Sequence, residues 1–307
     1  MSDILVEVKD LTVKFGGFTA VNNISFSVNR GEIFGFLGAN GAGKTTTIRV
    51  LCGLLRPTGG SARVAGADSG DGARAIKTKV GYMSQRFTLY NDLTVEENLD
   101  FMASLRKLNK ADYIRQRMEL FDFISFDRPL KTMVKDLPGG TKQKVSLAAA
   151  LLHNPEIIFL DEPTAGVSPE ARSSFWSLIH RLSGSGKTVF VTTHYMDEAE
   201  QCNRIALMRE GTIIALDTPD GLKASTFPMP VLEFEPKGPM SFKEFSDIKQ
   251  HDIFLFFEPY GIRFHACVSD QHAWTKVRHV YEAKFNIREI KPTLEDVFIR
   301  REEAEQA

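Results

Sequence analysis

The stretch EIFGFLGANGAGKTTTIRV (32–50) decides the fold. Its first part, EIFGFLG (32–38), is apolar enough for a buried strand, and TTTIRVLCGLL (45–55) reads as a helix. Between them GANGAGKT (38–45) fits the phosphate-loop pattern GxxxxGK[ST] in its required strand–loop–helix context. The chemistry follows from the residues. Gly41 and Gly43 let the backbone curl so that N–H groups face a β-phosphate, and the helix N-terminus adds partial positive charge. Lys44 reaches the β- and γ-phosphates, and the Thr45 hydroxyl is a ligand for Mg2+.

A second apolar strand, IIFLDE (157–162), delivers two carboxylates to its C-terminal end, where ligands collect in open α/β sheets. Asp161 is placed to hold the Mg2+ shell, and Glu162 to orient and polarise an attacking water as general base. Gln85 closes VGYMSQ (80–85) and His194 closes TVFVTTH (188–194). Either residue alone is more often structural. At the same sheet edge as the phosphate loop, Gln85 meets the metal or the water and His194 senses the γ-phosphate. Phe15, in LTVKFGGF (11–18), is a stacking surface for adenine, with core packing as its alternative and Phe18 as second choice.

The 307 residues are 43% hydrophobic and 25% charged, ordinary for a globular protein. A formal net charge of -1 gives no global pull toward nucleic acid or an anionic membrane. Three scattered cysteines point to a reducing cytoplasm rather than a disulfide framework. The N-terminus MSDILVEVKD lacks signal-peptide character, and no apolar run approaches the ~18–20 residues of a membrane span. Apolar strands alternating with helical patterns predict an α/β fold with a largely parallel sheet, with an antiparallel layer from residues 1–30. From 86 to 150 helices take over, opening on a capping box at Thr94–Glu97. A boundary is expected near ASTFPMP (224–230). It separates a first domain, 1–224, from a small α+β domain, 225–307, whose βαββαβ order is ferredoxin-like. There Trp274, Val277, Val280, Tyr281 and Phe285 are expected to form one apolar stripe, and the tail REEAEQA (301–307) to fray.

The order of these motifs resembles the ATP-binding cassette (ABC) ATPases, the nucleotide-binding subunits of ABC transporters. The matching pieces are Phe15 (aromatic loop), GANGAGKT (Walker A), Gln85 (Q-loop), LPGGT (137–141, signature), IIFLDE (Walker B) and His194 (switch). The resemblance implies ATP and Mg2+ as cofactors, with Mg2+ at Thr45, Gln85 and Asp161. It implies nucleotide contacts from Phe15, Gly38, Asn40, Gly41, Ala42, Gly43, Lys44, Thr45 and Thr46, and from Leu137, Pro138, Gly139 and Gly140. Glu162, His194 and Gln85 are the implied catalytic residues. It also implies that residues 86–150 meet a membrane-spanning permease, leaving this chain peripheral on the cytoplasmic side. Two cassettes would meet head-to-tail, each signature closing over the other's ATP. PTLEDVFI (292–299) is similar to a segment ending many exporter-type proteins.

Two positions depart from the family pattern. Pro138 replaces the usual signature serine and cannot offer a hydroxyl. Gly139 and Gly140 keep their N–H groups, so the loss is one hydrogen bond to a charged group, about 1.5–3 kcal/mol, or one to two powers of ten in closure. Pro138 itself suits a first helical turn. Ser168 stands where the loop crossing the dimer usually has an aspartate. Either a homodimer tolerates both, the favoured reading, or a second, different ATPase completes the site. The rivals are a soluble ABC ATPase acting on ribosomes or nucleic acid, and a regulatory ATP-binding module. The first lacks a visible nucleic-acid-binding addition, and Glu162 argues against the second.

Overall fold

The computed structural model describes residues 3–85, 89–227 and 229–306, and the chain forms two compact units, Met1–Thr218 and Pro219–Ala307. In the first unit β1 (Ile4–Phe15) and β2 (Phe18–Asn29) form a hairpin, followed by β3 (Ile33–Leu37) and α1 (Lys44–Leu51). Next come β4 (Gly59–Val64), β5 (Ala67–Asp68), α2 (Ala73–Lys79) and β6 (Val80–Met83). The helical stretch contains α3 (Val95–Leu105), α4 (Lys110–Phe123) and α5 (Gly139–Leu151). After it β7 (Ile157–Asp161), α6 (Pro169–Gly184), β8 (Thr188–Thr193), α7 (Met196–Ala199), β9 (Arg204–Arg209) and β10 (Thr212–Asp217) complete the unit.

Two sheets share its core. The central one has the order β10-β9-β3-β8-β7-β6, parallel except for the antiparallel edge β10. Strands β3, β7 and β8 are buried along their whole length, as continuous apolar runs require when both faces are covered. The second sheet, β2-β1-β4-β5, is antiparallel and alternates. Its Phe26 packs on Phe34, Phe36 and Phe190 of the central sheet, with ring centroids 5.5, 5.1 and 6.2 Å apart. The α/β class and the antiparallel layer expected from sequence are borne out. The capping box at α3 forms: Thr94 N–H donates to Glu97 Oε2 (2.8 Å) and Glu97 N–H to Thr94 Oγ1 (3.2 Å).

The second unit starts at α8 (Pro219–Thr226), six residues before the expected boundary, because α8 packs on α11 (Leu294–Gln306). Arg301 ties the pair by donating to Thr226 Oγ1 and Ser225 Oγ, both at 3.2 Å. Helix α11 also takes in the tail expected to fray. Between these helices run β11 (Val231–Pro236), α9 (Phe242–Lys249), β12 (Phe254–Tyr260), β13 (Arg263–Val268), α10 (Gln271–Glu282) and β14 (Phe285–Ile290). The sheet order is β12-β13-β11-β14, antiparallel throughout. Trp274 and Phe285 are buried in its core, with Val277 and Tyr281 packed against it. Val280 is exposed instead, since six residues from Trp274 turn it about 120° off the stripe.

Candidate nucleotide-binding site

Strand β3 ends at Leu37, and the chain turns through the glycine loop into α1. Adding a Cβ to Gly38 would bring it 2.2 Å from the Met208 carbonyl oxygen, and to Gly43 2.5 Å from that of Ala20. Gly41 and Gly43 have φ of 86° and 103°, a region costly for other residues. The loop wraps Lys44, which is 4% exposed. Its ammonium donates to the carbonyls of Gly38 (2.7 Å) and Ala39 (3.0 Å) and lies 3.5 Å from Glu162 Oε1. Burial lowers the Lys44 pKa, and the Glu162 carboxylate pulls it back up.

The parallel register pairs Asp161 with Thr192 across β7 and β8, which brings the carboxylates to the loop. Asp161 Oδ1 accepts from Thr192 Oγ1 (2.7 Å) and Thr45 Oγ1 (3.1 Å). Its Oδ2 is buried with no partner, and burial raises the carboxyl's pKa despite the two hydroxyls. An orphaned carboxylate oxygen beside a threonine hydroxyl fits a divalent cation. Among the described residues no three His, Cys, Asp or Glu cluster, so such an ion needs phosphate oxygens to complete its shell.

Glu162 adopts φ 47°, a left-handed conformation that costs about 1–3 kcal/mol for a non-glycine residue. Its N–H donates to Thr192 Oγ1 (3.0 Å) and to the Thr192 carbonyl (3.2 Å), which hold it there. Gln85 Nε2 donates to Glu162 Oε2 (2.9 Å), and His194 Nδ1 lies 3.5 Å from the same oxygen. Thr192 was not legible as a site residue. The only signal was its place before the Thr-His end of β8.

A cleft of about 350 Å3 is lined by Phe15, Phe18, Asn40, Gly41, Gly43, Lys44, Thr45, Thr46, Gln85 and Glu162. Phe15 and Phe18 pair at the β1–β2 turn and are half and two-thirds exposed. Core packing is thereby ruled out for Phe15. Gly38 and Ala42 are buried within the loop and do not line the cleft. The signature residues are elsewhere, at the N-terminus of α5, and do not line this cleft. Leu137 is buried, so it offers no side chain to a ligand. Pro138 is the N-cap of α5, not a residue of its first turn as expected, and no side chain caps the helix. Ser168 caps α6, with Oγ accepting from Ala171 N–H (3.3 Å).

A glycine-rich loop cradling a buried lysine, with a carboxylate pair at the C-terminal end of β7 two strands away in the sheet, defines a nucleoside-triphosphate site of the P-loop class. The comparisons extend this to a family. The family model described as ABC transporter matches residues 21–165. The Nod factor export ATP-binding protein I of Rhizobium leguminosarum is 33% identical over 98% of this chain and 95% of its own length. The probable multidrug ABC transporter ATP-binding protein YbhF of Escherichia coli is 47% identical over 73% of this chain, which spans only 39% of that relative. Among solved structures, the dimeric ATP-binding cassette MJ0796 in a post-hydrolysis state with ADP and Pi superposes with a TM-score of 0.63 and 25% identity. That match covers 69% of this chain and 98% of MJ0796. The chain belongs to the ABC transporter family and is an ATP-binding cassette.

Proposed function

We propose that this chain is the ATP-hydrolysing subunit of an ABC exporter, closing as a homodimer over two Mg-ATP and driving a membrane-spanning permease. The observation that carries hydrolysis is the Glu162 carboxylate, held in a strained conformation beside Lys44, Gln85 and His194. In that setting Glu162 takes the proton of a water attacking the γ-phosphate, Gln85 and His194 fix the water and the phosphate, and Lys44 meets the growing charge. Thr45 and the free Asp161 oxygen are the residues that would hold Mg2+, which when bound neutralises phosphate charge. Phe15 stacks on adenine. Phe15→Ala is expected to weaken ATP binding ~5- to 100-fold, since base–aromatic stacking contributes about 1–3 kcal/mol. Titration with a fluorescent ATP analogue measures it, and a loss from Phe18→Ala alone would move the role to Phe18.

Export is supported by the relatives, named for multidrug transport and Nod factor export. No helix among the described residues is long and apolar enough to cross a membrane, so the permease is a separate element of this proposal. The ribosomal or nucleic-acid reading draws nothing from these relatives.

Dimer closure is supported by the signature glycines. A Cβ on Gly140 would meet Ala171 Cβ at 2.8 Å, which explains that glycine within the chain. A Cβ on Gly139 would meet nothing within 4 Å. Its own fold gains from alanine there, by up to about 1 kcal/mol of helix propensity. The missing side chain therefore suits close approach by something outside, the phosphates held by a second copy. Gly139→Ala is expected to keep or raise the melting temperature while weakening ATP-dependent dimerisation at least ~10-fold, about 1.4 kcal/mol. Calorimetry with sedimentation checks both; unimpaired dimerisation would place the contact elsewhere. The Ser168 hydroxyl, engaged as a cap, makes the homodimer the simpler reading of that departure.

A further inference from the structure

Glu198 is a carboxylate with no solvent exposure, and nothing in the mechanism uses it. Burying such a charge is unfavourable unless donors surround it. It has two hydroxyl donors and one ion-pair partner, each from a different segment. The Thr164 hydroxyl donates to Oε1, and Arg172 Nε lies 3.3 Å from the same oxygen. Thr193 Oγ1 donates to Oε2 at 2.6 Å and accepts from Tyr195 N–H at 3.0 Å. The Arg172 guanidinium also covers the Tyr195 ring, 3.8 Å from its centroid, and reaches Asp197 Oδ2 at 3.5 Å.

These partners sit at telling distances along the chain. Thr164 is two residues past Glu162, and Thr193 and Tyr195 bracket His194. Arg172 is in the first turn of α6, four residues after Ser168. Pinning the short helix α7 alone would not require partners from three separate segments. This carboxylate joins the segment after β7, the segment after β8 and the start of α6. Among the described residues the phosphate loop meets the network only through the main chain, Gly38 N–H donating to the Thr193 carbonyl at 3.4 Å, a bond that side-chain changes leave in place.

We infer that Glu198 is a positioning residue: through Thr193, Thr164 and Arg172 it sets His194 against Glu162 and fixes the 163–168 segment. The inference rests on the roles given above to Glu162 and His194. Its consequence is a hydrolysis step sensitive to Glu198 and an ATP-binding step that is not.

The test uses the full chain with Mg-ATP. Glu198→Gln keeps the size and one acceptor but gives up the pair with Arg172. Its kcat is expected to fall ~10- to 100-fold, as small misplacements of reacting groups do, with KM and ATP Kd within about twofold. In a His194→Ala background the same change is expected to add less than about twofold, because its effect runs through that imidazole. Thr193→Val breaks the same link without touching the charge and serves if the first variant folds poorly. A readout free of turnover is the His194 imidazole resonance, assigned by its loss in His194→Ala, which is expected to shift in both variants. Unchanged kcat and an unshifted resonance, or losses that multiply with His194→Ala, overturn the inference. Full activity in His194→Ala alone overturns the site reading and this inference with it.

Discussion

Glu162→Gln is expected to bind Mg-ATP about as tightly as the wild type while hydrolysing it ~10²- to 10⁴-fold more slowly, the usual contribution of a positioned general base. The amide keeps the shape of a side chain that is only 8% exposed, so the fold has little reason to change. What disappears is the proton acceptor aimed into the cleft. The ion pair with Lys44 at 3.5 Å is lost too, which frees the ammonium for phosphate rather than removing it. Single-turnover phosphate release measures the step directly. A rate within tenfold of the wild type would move the base to another group, with His194 the nearest candidate.

Lys44→Ala acts on the other half of the cycle. The ammonium already occupies the phosphate loop, spanning the Gly38 and Ala39 carbonyls at 2.7 and 3.0 Å. Bound to nucleotide it exchanges these acceptors for phosphate oxygens, and each hydrogen bond to a charged partner contributes about 1.5–3 kcal/mol. Losing two such bonds is expected to weaken ATP binding ~10²- to 10⁴-fold. Calorimetric titration reads it, with adenosine as the control ligand: its weak affinity should be unaltered, because Phe15 and Phe18 remain. Wild-type ATP affinity in the variant would mean that loop N–H groups and α1 alone carry the phosphates.

Much of this was legible because the informative segments are short and fully buried. EIFGFLG (32–38), IIFLDE (157–162) and TVFVTTH (188–194) read as strands because they are too short for helices and rich in β-branched and aromatic residues, and each ends at a site residue. Strand β4 was missed. GGSARV (59–64) holds two glycines and little alternation, and it becomes a strand only through pairing with β1, Val6 opposite Val64. Thr192 was missed for a related reason: its hydroxyl matters only because the β7–β8 register sets it opposite Asp161. The same holds for Glu198, whose partners lie 34, 26 and 5 residues away and meet only after folding. Pro138 is the N-cap of α5 rather than a residue of its first turn, and having no N–H of its own it leaves Gly139 to offer the first free one. Val280 differs for a simpler reason: an apolar residue in a helix reaches the core only if its angle about the axis falls on the buried stripe, and that of Val280 does not.

The account's central claim is that ATP held by this chain is enclosed by a second copy of it. Light scattering of the purified Glu162→Gln protein, with and without Mg-ATP, tests it most directly, because blocked hydrolysis traps whatever closed state forms. The predicted result is a nucleotide-dependent shift from the 34.4 kDa of one chain to twice that mass, reversed by removing ATP. Protein that binds ATP yet stays at 34.4 kDa at every concentration would contradict the homodimer, and would leave Pro138 and Ser168 as marks of a site completed by a different cassette.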